Sequence, residues 1–364
     1  MSQQFRELLQ KVGNGAHTKQ NLSRQEAAIA ARHLLEQEAT PAQIGAFLIA
    51  HRIKRPTSAE LAGMLDTYAE LGPQVPALPA TEPPVIVMST PYDGRSRTAP
   101  VTPLSALILA TAGLPVLLHG GDSAPTKHGL PLNDLLVGLG LDFRTLSLTQ
   151  LQTVLTTSKL GFVYTPHHFP QADALMTYRE EIGKRPPLAT LELIWLPYAG
   201  LCRAVAGYVH PPTEPLLRQA LAQRGITDVV LVKGLEGSCD LPRARTAIAT
   251  VSQSRIPGVG DYLKLHPRDY GFAGEDLPSL PLPELLTQME AVLRGEAVEL
   301  LPAALWNAGF YLWQFGGAAS LAAGIDQAKT WLAAGRVVEQ RREIQQAIAA
   351  CHELSRTPPP HHSP

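Results

Sequence analysis

Five prolines lie between Gly72 and Pro84, and no helix can pass through this stretch of the chain. Proline lacks a backbone N–H and fixes φ, so it stops a helix that reaches it. Before the stretch, apolar residues recur at helical spacing, whereas after it they form short β-branched runs. We therefore predict a linker over residues 73–84, between a domain of residues 1–72 and a second domain of residues 85–350.

The first 72 residues carry repeated signals for the start of a helix. Residues 23–26 (Ser-Arg-Gln-Glu) and 57–60 (Thr-Ser-Ala-Glu) have the spacing of a capping box, in which a hydroxyl caps a free N–H and the Glu reaches back. Pro41 follows Thr40 at a first helical position, where its missing N–H costs nothing. The sequence predicts three or four short helices that pack as an all-α domain.

Beyond the linker, short buried strands alternate with helices. This alternation predicts an α/β domain with a mostly parallel sheet flanked by helices. The predicted strands are 85–88, 115–118, 162–164 and 228–232, and the predicted helices are 104–112, 132–140 and a helical region over 306–348. Residues 351–364 are predicted to form a low-complexity tail. We interpret its two adjacent histidines as part of this tail and not as a metal site.

The balance of charges and the cysteine pattern exclude some classes of protein. The chain has 31 Lys and Arg against 32 Asp and Glu, so a chain-wide basic surface is excluded and only a local patch could bind nucleic acid. The 3 cysteines form no CxxC pair, which favours free thiols in a reducing compartment. Prolines interrupt the uncharged stretch 98–118, and no secretory signal is recognisable at the N-terminus. We expect a cytoplasmic protein with no membrane contact.

Several motifs resemble the anthranilate phosphoribosyltransferase family (glycosyltransferase family 3). They are Glu38–Leu48, Ser58–Met64, the residues from His119 to Gly129, and the helical segments Leu305–Gly309 and Ala319–Ile325. The resemblance implies a small helical domain, with a segment near 165–185 joining it, and a larger α/β domain. It also implies a homodimer formed through the helical domain, and transfer of a phosphoribosyl group from phosphoribosyl pyrophosphate to an aromatic amine with the help of Mg²⁺.

The loop after the first strand departs from this family. The family has Gly-Thr-Gly-Gly-Asp-Gly there, and this chain has Ser89-Thr-Pro-Tyr-Asp-Gly94. Pro91 removes an amide donor and restricts φ, and Tyr92 adds bulk where pyrophosphate would lie. Thr90, Asp93 and Gly94 remain, so we expect the loop geometry to survive without the usual set of phosphate donors.

The loop that begins at His119 and the acidic motif at 236–240 also keep only some of the family's residues. His119 and Gly120 match the family, and Lys127 offers a point charge for a phosphate. The family's Asp-Gly-x-Asp-Glu falls at 236–240, where Glu236 and Asp240 persist but Cys239 stands in place of one carboxylate. The resemblance therefore implies Glu236 and Asp240 as ligands of a weakened Mg²⁺ site.

The region that would hold the amine has changed as well. Gly183-Lys184-Arg185 resembles the family's Gly-x-Arg, but Pro186 replaces the following Thr, and Phe169 replaces a His before a Pro. Anthranilate is thus a doubtful acceptor. With residues lost at all of these positions, the chain resembles the YbiB-like branch of the family, which keeps the fold and is associated with nucleic-acid binding.

Three functions remain open from the sequence. The first is binding of nucleic acid or another polyanion in the former active-site cleft, through Arg95, Arg97, Lys184, Lys233, Arg243 and Arg245. The second is a transferase that uses a phosphoribosyl donor and Mg²⁺, with the donor held by Thr90, Asp93, Gly94, His119, Gly120, Ser123, Thr126, Lys127 and Arg185. The third is a silent scaffold whose helical domain only dimerises or docks a partner.

Overall fold

A computed structural model of the protein describes residues 3–15, 17–252 and 261–356. The N-terminal part is a bundle of four helices within residues 3–71. Capping boxes are present at both predicted places, with Ser23 accepting from the Glu26 N–H and Thr57 from the Glu60 N–H. The helices of this bundle are α1 Gln3–Gly13, α2 Arg24–Leu35, α3 Pro41–Lys54 and α4 Ser58–Leu71.

The larger part is built on a seven-stranded sheet with the order β3-β2-β1-β4-β5-β6-β7. Neighbours from β3 to β5 are parallel, and β6 and β7 are antiparallel additions at one edge. This confirms the predicted α/β class with a mostly parallel sheet. The strands are β1 Val85–Ser89, β2 Val116–Gly120, β3 Leu160–Tyr164, β4 Cys202–Gly207, β5 Val229–Val232, β6 Ala247–Val251 and β7 Tyr262–Leu265.

Twelve further helices lie within the described part of this domain, and four of them are short helices between β3 and β4. Two 3₁₀ turns, Leu235–Gly237 and Pro267–Tyr270, lie among the loops. The helices are α5 Thr102–Thr111, α6 Leu132–Gly138, α7 Leu148–Ser158, α8 Thr165–His168, α9 Pro170–Asp173, α10 Met176–Glu181, α11 Leu188–Leu191, α12 Thr213–Gln223, α13 Leu282–Leu293, α14 Leu301–Gln314, α15 Leu321–Ala333 and α16 Arg336–Arg356.

The order of the parallel strands decides where loops meet. The strands up to β3 are added on one side of β1 and those from β4 onwards on its other side, and open α/β sheets bind ligands at such a switch point, beyond the carboxyl ends of the strands. Ser89 is in register with His119, so the loops that follow β1 and β2 start side by side. The helical bundle reaches the same edge, because Arg52 of α3 donates from Nε to the Arg185 carbonyl at 3.0 Å.

The segment 73–84 packs against the larger domain, since Val75 is fully buried and its N–H donates to the Pro197 carbonyl at 3.0 Å. One expectation needs correction. The expected tail does not begin at residue 351, because α16 continues to Arg356 and Gln150 donates to the Cys351 carbonyl at 2.7 Å. The rest of that tail, 357–364, lies outside the described residues. Within the residues that the structure covers, no helix is long and apolar enough to span a membrane.

Candidate functional site

The loop after β1 is closed against the loop after β2 by their backbones. Gly94 has a φ of +69°, and a Cβ there would lie 2.5 Å from the carbonyl carbon of Gly129. Arg95 and Leu130 form an antiparallel bridge next to this contact. Gly94 therefore allows the two loops to touch, a role that the sequence alone does not show.

Tyr92 points into the protein rather than along the predicted pyrophosphate path. Its hydroxyl lies 2.6 Å from His119 Nδ1, and the Ser89 hydroxyl lies 2.9 Å from His119 Nε2. Burial lowers the pKa of His119 to about 3, so the ring is neutral and can accept from one hydroxyl and donate to the other. His119 and Gly120, which we expected to bind a ligand, are covered by this arrangement.

The inward Tyr92 helps to close a small, mostly apolar pocket. Phe169, Leu188 and Trp195 form further apolar walls, and the cavity that remains is about 20 Å³, room for about one water molecule. A ring-sized acceptor does not fit this cavity as it stands.

A buried ion-pair cluster borders this pocket. Arg179 donates from Nη1 to Glu192 Oε1 at 3.0 Å, and its Nη2 lies 3.7 Å from Asp93 Oδ2. Asp93 is fully buried, and its carboxylate also accepts from the Thr126 hydroxyl at 3.3 Å. Burial is the main cause that raises the pKa of Glu192. The sequence pattern pointed to Asp93 and Thr126, but it carried no signal for Arg179 or Glu192.

Arg95 lies in the interior, only 3% exposed, and so does not line a groove as we expected. Its Nη1 donates to Asp240 Oδ2 at 2.7 Å and to the Ser238 hydroxyl at 2.9 Å, and its Nε lies 3.5 Å from Glu236 Oε1. The guanidinium thus stands between the two carboxylates that the family resemblance assigns to a metal. A cation of the chain itself neutralises them.

The Glu236 carboxylate is enclosed by donors from the loop after β1. The backbone N–H groups of Ser96, Arg97 and Thr98 donate to it at 3.2, 3.0 and 3.0 Å. Burial raises the pKa of Glu236, but donation from Arg97 and Ser96 outweighs this effect and lowers the pKa to about 2. Glu236 is therefore ionised and fully engaged.

These residues do not fit Mg²⁺. Mg²⁺ requires near-octahedral oxygen ligands at about 2.0–2.1 Å and usually keeps several waters, whereas Glu236 and Asp240 are both occupied by N–H donors and separated by Arg95. Burial raises the pKa of the Cys239 thiol to about 12, so it offers no thiolate. Across residues 3–15, 17–252 and 261–356, no group of three or more His, Cys, Asp or Glu could hold a metal ion.

Cationic side chains do gather along the cleft between the two domains. A cleft of about 330 Å³ is lined by Arg52, Arg185 and His210. Lys127 is near this group: its Nζ lies 3.8 Å from the Glu236 carboxylate, and the next residue, Gly237, lines the cleft. Burial is the main cause that lowers the pKa of Lys127. We use the name cleft cations for Arg52 and Arg185, which line the cleft, and for five exposed or half-exposed cations on the loops that follow β1, β2, β3 and β5; these five are Arg97, Lys127, Lys184, Lys233 and Arg245.

The other predicted positions fall in different places. Arg243 does not join the cleft cations, since its Nε donates to the Phe272 carbonyl at 3.0 Å and holds the 272–276 loop. Arg245 donates to the Lys233 carbonyl at 3.1 Å, which brings these two cations together. Thr90 lines a small pocket of about 10 Å³, and Ser123 is exposed. Arg52 was missed because its sequence context is that of an ordinary helix.

Comparison with known proteins agrees with this architecture. Residues 6–72 match the helical bundle domain of a glycosyl transferase family, and residues 87–338 match the α/β domain of that family. Curated relatives include the anthranilate phosphoribosyltransferase of Afipia carboxidovorans, 30% identical and covering 88% of this chain and 92% of that protein. That of Methylobacterium nodulans is 32% identical and covers 89% and 93%.

Solved structures show the same fold. The anthranilate phosphoribosyltransferase from Saccharomyces cerevisiae in complex with PRPP and Mg superposes with a TM-score of 0.79 at 17% identity, covering 96% of this chain and 99% of that one. The enzyme from Thermus thermophilus gives 0.73 at 21% identity, covering 96% and 100%. The chain therefore belongs to the anthranilate phosphoribosyltransferase family, glycosyltransferase family 3.

Proposed function

We propose that this protein is a diverged, YbiB-like member of its family that binds nucleic acid through the cleft cations, without magnesium. The observation that carries the proposal is the distribution of charge along the cleft. Arg52, Lys184, Lys233 and Arg245 have no carboxylate within ion-pair distance in the described part of the chain. The nearby carboxylates of Asp93, Glu236 and Asp240 are instead buried and have partners inside the protein.

Such a row of cations suits a phosphate backbone. Each Lys or Arg that contacts a phosphate releases condensed counterions, which supplies affinity without sequence preference. Tyr262 is half exposed on β7, with the Lys264 ammonium 5.8 Å from its ring centre, and an exposed ring offers a surface on which a base can stack. These features favour single strands.

The test is binding of a labelled 20-nucleotide single strand, measured by fluorescence anisotropy between 50 and 200 mM salt. Lys184→Glu combined with Lys233→Glu is expected to weaken binding at least about tenfold and to reduce the log–log salt slope by about 1.4, because each lost phosphate contact removes about 0.7. The matched control carries Lys329→Glu, the same type of charge change on an exposed lysine of α15. A slope near zero, or equal weakening by the control, contradicts the proposal.

A second candidate is phosphoribosyl transfer, and the identity of 30–32% with enzymes that carry this name favours it. It would use Thr90, Lys127 and Arg185 for the donor. Thermal unfolding in the presence of phosphoribosyl pyrophosphate, with and without Mg²⁺, separates the two functions. A rise in the unfolding temperature that requires both compounds supports the transferase. The nucleic-acid proposal predicts that Mg²⁺ does not raise the unfolding temperature.

The protein is also proposed to form a homodimer through the helical bundle. A groove of about 960 Å³ runs between α1 and α3, lined by Leu9, Ile49 and Ile182 among others, and Ile53 at its rim is 67% exposed. Exposed apolar surface of this kind is typical of an interface. Ile53→Asp is expected to shift the protein towards a monomer in sedimentation analysis, because it places a charge in the apolar contact. Leu201→Asp, at a position outside the groove that is 77% exposed, is the control and should leave the dimer intact.

A further inference from the structure

The contacts of Glu236 have the form of a filled anion site. Three successive backbone N–H groups, those of Ser96, Arg97 and Thr98, converge on one carboxylate, and the Thr98 hydroxyl donates to it at 2.9 Å. Successive N–H groups that face one point form a concave anion-binding arrangement that phosphate groups also occupy. We call these three amides the loop nest.

Glu236 reaches the loop nest from an unfavourable backbone conformation. Its φ is +55°, a region that residues other than glycine seldom occupy because it strains the backbone. The neighbouring Gly237 is also left-handed, with a φ of +88°. The contacts to the loop nest and to Arg95 hold the residue in this strained conformation.

The loop nest is close to the surface on the side of the cleft. The Arg97 side chain is 76% exposed, and its Nε lies 3.7 Å from Glu236 Oε2. Lys127 Nζ lies 3.8 Å from the same oxygen. Ser96 is exposed. An entering anion would therefore meet two cations and the edge of the loop nest before it met any buried group.

From this geometry we propose that the loop nest is a phosphate-binding site, and that Glu236 occupies it as an internal substitute that a ligand phosphate must displace. The carboxylate and a phosphate make the same demand on the three amides, Arg97 and Lys127, so the two compete. This inference deepens the proposed function and rests on it in one respect: Glu236 would lower the affinity of the cleft for nucleic acid, because a nucleic-acid phosphate must displace it.

The first experiment uses inorganic phosphate and thermal unfolding of the full chain. Glu236→Ala empties the loop nest, so its unfolding temperature should be lower than that of the wild type, and about 10 mM phosphate should raise it again by about 3–6 °C. The wild type and the control Glu180→Gln, which removes an exposed charge near the same loops, should rise by less than about 1 °C. An equal phosphate response in all three proteins overturns the proposal. If Glu236→Ala does not fold, Glu236→Gln is measured in the same way.

The second experiment measures oligonucleotide affinity. Glu236→Gln is expected to bind the single strand about five- to tenfold more tightly than the wild type, because a neutral amide is a weaker competitor than a carboxylate, and Glu180→Gln should not. The two ideas fail separately. If phosphate restores Glu236→Ala but no protein binds the oligonucleotide, the loop nest stands and nucleic-acid binding is wrong. If the wild type binds the oligonucleotide but phosphate restores nothing, the loop nest is wrong.

Discussion

Replacement of Arg95 by methionine is expected to lower the free energy of unfolding by about 3–5 kcal/mol, as is typical when one partner of a buried ion pair is removed. Arg95 is buried and is the cation that faces both Glu236 and Asp240. Methionine fills much of the same space but leaves these two carboxylates without their shared charge. The cost of burying an uncompensated charge is therefore larger than the loss of the hydrogen bonds themselves.

Urea denaturation measures this change. The control is Arg97→Met, two residues further along the same loop, whose exposed side chain should contribute no more than about 1 kcal/mol. Mg²⁺ adds a second readout: it should restore part of the stability of Arg95→Met, because a divalent cation can then approach the two carboxylates, and should leave the wild type unchanged. A wild type that Mg²⁺ stabilises would show that Arg95 does not take the place of the metal.

Glu60→Gln is expected to have a comparable effect in the helical bundle, about 3–5 kcal/mol. The Glu60 carboxylate is fully buried and accepts from the Lys54 ammonium and from the N–H groups of Leu22 and Thr57, each at 2.7 Å. The amide would leave the Lys54 charge buried without a counter-charge. The exposed Glu339→Gln on α16 is the control and should change stability by less than about 0.5 kcal/mol.

The same carboxylate predicts how stability depends on pH. Burial raises the pKa of Glu60, but the nearby His51 ring, 3.6 Å away, and the hydrogen bonds from Lys54 and the Thr57 N–H outweigh it and lower the pKa to about 2, below the ordinary value of 4.5. A group with a lowered pKa stabilises the fold above its unfolded value and loses this contribution as pH falls through the folded value. Stability of the wild type should therefore fall between about pH 4.5 and pH 2, and the fall should be shallower in Glu60→Gln. Equal slopes in the two proteins would contradict the assignment.

Local chemistry made much of the secondary structure predictable. The capping boxes at 23–26 and 57–60 place their donors and acceptors within four residues, so the starts of α2 and α4 follow from nearest neighbours. The strands β1, β2, β3 and β5 were predicted because they contain short apolar runs, which in β1 and β5 are rich in β-branched residues. The sequence missed β4, with Arg203 and Gly207 in it, and the antiparallel strands β6 and β7, because pairing with neighbouring strands decides their conformation.

The candidate site, like the secondary structure, has features that follow from the sequence and others that depend on distant contacts. The sequence by itself determined the family, the α/β class and the loss of glycines and a carboxylate from the phosphate and metal motifs. It could not say that Tyr92 turns inward to His119, that Arg95 lies between Glu236 and Asp240, or that Ser96–Thr98 enclose Glu236. Those partners are 27 to 145 residues apart in the chain. Burial and hydrogen-bond satisfaction between such distant groups depend on how the sheet brings its loops to one edge, and only the tertiary structure decides that.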